Sequence, residues 1–189
     1  MENFSLFFRM GLDHILSPDA LDHQLFLLSL VAGFTLRDIK PLLILITAFT
    51  IGHSITLAFC SSGHIRISSY FIELLIPFTI LISGLMALIR PGVNASKMKW
   101  LYPAAGIFGL IHGMGFANTL KAMLGREQSL LLPLFGFNVG LELGQLVVIL
   151  AWVSFFAVLG IWYKNTVLMG RMSGVLAVLG AVWMMADRF

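Results

Sequence analysis

Six ionisable side chains stand inside otherwise apolar stretches of this 189-residue sequence: Asp22, His23, His53, Glu73, His112 and Glu142. A charged group at membrane depth costs about 2.5–3.5 kcal/mol on insertion scales, so such residues usually face a protein interior and serve a purpose. Thr50, Ser54, Asn138 and Gln145 accompany them, and His14 lies just before the first apolar stretch. Imidazole and carboxylate without thiolate suit Ni²⁺, Co²⁺ or Zn²⁺ better than Cu(I), and the pattern does not rank those three. The one cysteine, Cys60, excludes an internal disulfide and any CxxC motif. Met114 beside His112 is one of ten scattered methionines and reads as packing. His64, next to Arg66 in a polar stretch, reads as solvated.

The elements that position these groups follow from composition. The chain is 59% hydrophobic and 11% charged, with mean hydropathy +0.95. Soluble domains carry about 25% charged residues, and a water-soluble protein this small has no interior large enough for so much apolar surface. The expected fold is all-α: a polytopic membrane bundle of about six helices in a single domain. A span needs about 20 mainly apolar residues. The expected spans are 20–36, 41–60, 70–89, 101–120, 130–162 and 166–186. The fifth is about 50 Å long as one helix and is expected to enter through a bend near Pro133 and Gly136. Phe4 to Met10 is interrupted by Arg9 and has no convincing cleavage site, so the chain is expected to be mature from near Met1.

The net charge is +3, but the basic residues are spread thinly between apolar runs, which argues for lipid flanks and against nucleic acid. Arg37, Lys40, Arg90, Lys97, Lys99, Lys164 and Arg171 fall on one side. Arg9, Arg66, Lys121, Arg126 and Arg188 fall on the other. This bias makes the first side the expected cytoplasmic one, which leaves both termini extracytoplasmic.

Helix rise brings the histidines to one level. Counted from the cytoplasmic end, His23 is ~20 Å up the first span, His53 ~18 Å up the second and His112 ~17 Å up the fourth. Asn138, Glu142 and Gln145, spaced i, i+4, i+7, form one polar stripe on the fifth helix. Gly136, Gly140 and Gly144 lie on another face, where small residues let a neighbouring helix approach. Thr47, Thr50 and Ser54 group beside His53, and Gly106, Gly109 and Gly113 are expected to clear space around His112. Glu73 begins the third span on the outer side, as an interfacial anchor or as part of the path.

Five ordered segments carry a resemblance to a known family. They are His14-Ile-Leu-Ser-Pro-Asp-Ala-Leu-Asp22-His23-Gln, Thr47-Ala-Phe-Thr-Ile-Gly-His53-Ser, Glu73-Leu-Leu-Ile-Pro, Gly109-Leu-Ile-His112-Gly-Met-Gly-Phe and Gly136-Phe-Asn138-Val-Gly-Leu-Glu142-Leu-Gly-Gln145. Together they resemble the HupE/UreJ family of membrane proteins over nearly the whole chain. Members are associated with the nickel enzymes hydrogenase and urease, and some are regarded as nickel permeases. The resemblance implies metal transport in a bacterial inner membrane, with His14, Asp22 and His23 as the metal-recognition element. The spacer between His14 and Asp22 is longer than in hydrogenase-linked members, where a Ser-Gly pair precedes the aspartate. The match is therefore closer to the less characterised branch, often joined to an extracytoplasmic domain.

These readings lead to a permease or channel for nickel, cobalt or a similar divalent ion. Its metal ligands would be His14, Asp22, His23, His53, His112 and Glu142, and its path would include Thr50, Glu73, Asn138 and Gln145. Two alternatives stay open. Three histidines holding zinc with an open position would make an intramembrane hydrolase, with Asp22 or Glu142 as general base. A polar cluster without metal would serve a membrane sensor or assembly subunit, and a homo-oligomer is compatible with each.

Overall fold

The computed structural model describes residues 2–32, 34, 38–63, 68–91, 99–124, 130–163 and 166–188. Seven helices occur among them: α1 (Glu2–Leu16), α2 (Leu21–Leu30), α3 (Ile39–Ser61), α4 (Ser69–Ile89), α5 (Leu101–Leu124), α6 (Leu131–Tyr163) and α7 (Thr166–Ala186). Among the described residues, α3, α4, α6 and α7 are long and apolar enough to cross a bilayer alone. The fifth long helix, α5, has 24 residues and packs against both α3 and α4. Ile51, Phe71, Phe78, Ile107, Val147 and Trp183 point out of the bundle. Side chains of that kind suit lipid and would drive aggregation in water. The fold is a polytopic helical membrane bundle.

Three close helix pairs organise it, each through glycine. A methyl at Gly109 would run into the carbonyl oxygen of Phe49, and one at Gly113 into that of His53, so α3 and α5 meet backbone to backbone. Residues 48–56 face 106–113 in the same order, which makes this pair parallel. On α6, Gly136 faces Phe4, Gly140 meets the Phe8 carbonyl and Gly144 packs on Ile15, so α1 runs parallel to α6 along the expected glycine ladder. Gly84 faces Ala177 while Gly174 faces Leu88, so α4 and α7 are antiparallel. Small residues substitute for a hydrophobic drive that lipid does not supply.

The first crossing differs from the expected 20–36 span. Helix α2 ends at Leu30 after ten residues, too short to cross. The N-terminal segment completes it. Phe4 sits by Phe135 near the start of α6, while Ser29 and Leu30 sit by Arg90 and Trp100 at the far end of α4. Thus α1 and α2 descend in succession from the face carrying both termini to the opposite face, with a break at 17–20. A break inside a membrane bundle needs its freed carbonyls satisfied. The Gln24 amide donates to the Ile15 and Ser17 carbonyls at 3.1 and 3.0 Å and does this. His64 and the loop cations Arg37, Arg66, Lys97, Arg126 and Lys164 lie outside the described residues.

Candidate metal centre

The break aims two histidines at each other. His14, in the last turn of α1, and His23, in the first turn of α2, have ring centroids 4.6 Å apart. His53 of α3 lies 5.9 Å from His14 and 6.2 Å from His23, and His112 of α5 lies 4.9 Å from His23. The close α3–α5 contact at Gly109 and Gly113 is what brings the last two helices into register. That changes the expected role of these glycines: they admit the α3 backbone, and they do not clear room around His112. Aromatic rings wall the cluster. Phe116 and Phe137 flank His14 at 4.4 and 5.5 Å, and Phe26 and Phe49 lie 5.2 and 5.4 Å from His112.

Hydrogen bonds set which nitrogens remain free. His23 Nδ1 is 2.8 Å from the Asp22 carboxylate, which also accepts the His23 backbone N–H at 2.7 Å. With Nδ1–H donating, the lone pair of His23 rests on Nε2, which is buried and without a partner. The Thr79 hydroxyl donates to the Ile76 carbonyl at 2.7 Å, so it accepts from His112 Nε2 at 3.0 Å. The lone pair of His112 then falls on Nδ1, also buried and without a partner. His14 Nε2 and both nitrogens of His53 are in the same condition. Unpartnered buried polar atoms are rare in native proteins and call for a reason. Here they converge.

Two triads result. Ligand atoms of His14, His23 and His53 lie within 4.8 Å of one another, as do those of Asp22, His23 and His112. A tetrahedral ion with bonds of about 2.0–2.1 Å spaces its ligand atoms roughly 3.4 Å apart. The ligand atoms of either triad therefore stand at most about 1.4 Å beyond that spacing, and the residues fit a divalent transition metal. His23 belongs to both.

A cavity of about 240 Å³ leads to the cluster from the face carrying the termini, with His14, Asp22, His23 and His112 at its depth and Glu73 and Arg188 in its wall. Six waters at about 30 Å³ each need ~180 Å³, so the space accommodates a hydrated ion. Proline 77 has no N–H for the carbonyl four residues back. That carbonyl belongs to Glu73, and Arg188 donates to it from the end of the chain. Glu73 is exposed at the cavity mouth, away from the histidines.

The structure separates the remaining expected residues from this centre. Glu142, expected among the ligands, accepts the Thr47 hydroxyl at 2.7 Å and joins neither triad. Its helix faces α3 there, so the carboxylate stays along that seam. Gln145 is fully buried and accepts from Thr50 at 3.0 Å, and Asn138 leaves its side-chain oxygen buried and unpartnered. Ser54 turns back to the Thr50 carbonyl at 2.6 Å. Sequence reasoning missed Thr79 as the partner of His112 and Arg188 as a wall of the cavity. A hydroxyl two residues after Pro77, inside an apolar run, was the available signal for Thr79; Arg188 had none.

No curated protein and no solved structure matches the chain. A family model described as HupE / UreJ protein matches residues 1–187, and the chain belongs to that family.

Proposed function

We propose that this protein carries a divalent transition-metal ion, nickel or cobalt in the first place, across the membrane from the face bearing its termini. The carrying observation is the convergence of free, buried ring nitrogens from four histidines at the end of a water-sized cavity. The family is associated with nickel and cobalt uptake or with maturation of hydrogenase and urease, which agrees with this cargo. The excess of Lys and Arg on the opposite loops makes the cavity extracytoplasmic. Glu73 near its mouth would attract the cation, Asp22 would orient His23, and the rings would replace water in the ion's shell.

Uptake of nickel and cobalt into proteoliposomes tests the reading. Wild-type protein is expected to load the vesicles, and the His23→Ala/His53→Ala double variant to lose that loading. Uptake unchanged in the double variant would overturn it.

One observation favours a second reading. Asp22 stands beside the ligand nitrogens in the open cavity, where it could also deprotonate a zinc-bound water. Turnover of a lipid or peptide by purified protein, lost on metal removal, would put a hydrolase first.

A further inference from the structure

Two polar ways lead out of the histidine cluster. The straight one passes between α2, α4 and α5, beneath His112, into a second cavity of about 60 Å³ lined by Ser29, Ser83, Arg90 and Trp100. It is plugged. Phe26 and Ile80 are fully buried there, and Phe26 packs on Phe49 at 5.1 Å and on Phe108 at 5.7 Å. The hydroxyls along it are already committed to backbone carbonyls: Ser29 to Phe26, Thr79 to Ile76 and Ser83 to Thr79, at 2.7, 2.7 and 2.9 Å. It ends beside a cation, Arg90.

The other way turns sideways at His53. This residue is fully buried and is not part of the cavity wall, so an ion reaches it from the cavity only through the triad with His14 and His23. From His53 the α3 face descends to Thr50 and Thr47 in steps of about 4.5 Å. On α6, Gln145 and Glu142 meet those hydroxyls at 3.0 and 2.7 Å. Gln145 Nε2 and Asn138 Oδ1 are buried and without partners, so this seam keeps polar capacity unspent. It ends at a half-buried carboxylate, Glu142, next to the exposed Thr47. A carboxylate at that depth is tolerated where water or another polar group reaches it.

On the permease reading above, we infer that the ion moves from the Asp22–His23–His112 triad to the His14–His23–His53 triad by way of His23. It then leaves the cluster along the α3–α6 seam to Glu142, which stands level with His14 across the α1–α6 contact, and the α2–α4–α5 cavity is not its next step. The sign of charge decides between the routes: a dication is drawn to Glu142 and repelled by Arg90.

Cysteine placement tests the route in a Cys60→Ala background, which removes the one native thiol. Thr47→Cys and Ser83→Cys proteins are reconstituted, treated with a cationic methanethiosulfonate and assayed for Ni²⁺ uptake. Modification at Thr47→Cys is expected to cut uptake about tenfold or more, as a fixed charge in the path should, with no effect at Ser83→Cys. Glu142→Gln is expected to lower uptake by a similar factor while the detergent-purified variant still loads Ni²⁺, which also shows that it is folded. Block at Ser83→Cys with full uptake after modification of Thr47→Cys would overturn the route and leave the permease standing. Parent protein that binds Ni²⁺ and carries none would overturn both.

Discussion

His14 and His23 face each other across the break between α1 and α2, their rings 4.6 Å apart. Neither helix alone crosses the membrane, and the point where one ends and the next begins is where the two rings meet. Broken helices at the binding level are a recurrent device of transporters, because a helix end there offers polar groups that a continuous helix has already used.

His23 should be the most costly histidine to lose, since both triads contain it. His23→Ala is expected to abolish stoichiometric Co²⁺ binding, read from the ligand-field spectrum of the purified protein. His53→Ala and His112→Ala each leave one triad and should retain a weaker site. Binding undiminished in His23→Ala would refute the shared role.

Asp22 holds the His23 ring and selects its tautomer. Replacing such an orienting carboxylate typically costs 10–100-fold in metal affinity, roughly the loss expected for Asp22→Asn. Isothermal titration with Ni²⁺ measures it, and an affinity equal to wild type would show that the ring needs no such support.

The glycines of α5 should separate by function. Gly109→Ala places a methyl against the Phe49 carbonyl and should destabilise by about 1–3 kcal/mol, as overpacking does. A methyl at Gly106 finds its nearest neighbour, the Ala48 carbonyl oxygen, at 3.6 Å and should be tolerated. Thermal unfolding in detergent distinguishes the two; equal midpoints would contradict the backbone contact.

Gln24 closes the helix break with two donated bonds. Each is worth about 0.5–1.5 kcal/mol net, so Gln24→Leu should lower stability by roughly 1–3 kcal/mol and loosen the His14–His23 pair. Gln24→Glu, which loses the donors at nearly the same shape, should behave alike. Thermal shift and Ni²⁺ titration of both variants provide the check, and a Gln24→Glu protein as stable as wild type would exclude the donation.

Metal should stabilise the folded protein by mass action. At a free concentration of 100 Kd the gain is about 2.7 kcal/mol, seen as a raised unfolding midpoint that a chelator reverses. The His23→Ala variant should show no such shift; an equal shift there would place the ion elsewhere.

Much of this molecule was legible as residues in a line. A composition poor in charge, with apolar runs of about 20 residues, points to helices in lipid, because a helix of that length spans the bilayer and satisfies its own backbone there. Regular rise along α3 and α5 already put His53 and His112 at one level, and the ladder of Gly136, Gly140 and Gly144 announced a close neighbour. The stripe of Asn138, Glu142 and Gln145 showed which face of α6 was polar. It did not show what that face met.

The tertiary structure alone decided three matters, each because the answer lies in contacts between segments far apart in sequence. Hydropathy placed a span at 20–36, whereas Gln24 folds back on the carbonyls of Ile15 and Ser17 and makes α1 half of the crossing. The glycines near His112 read as room for a side chain, and packing turned them into the seat of α3. Glu142 is on a helix that also meets the site through Phe137, yet Thr47 captures its carboxylate on the α3 seam. Sequence period shows which side of a helix is polar; only the approach of neighbouring helices determines which polar groups share a centre.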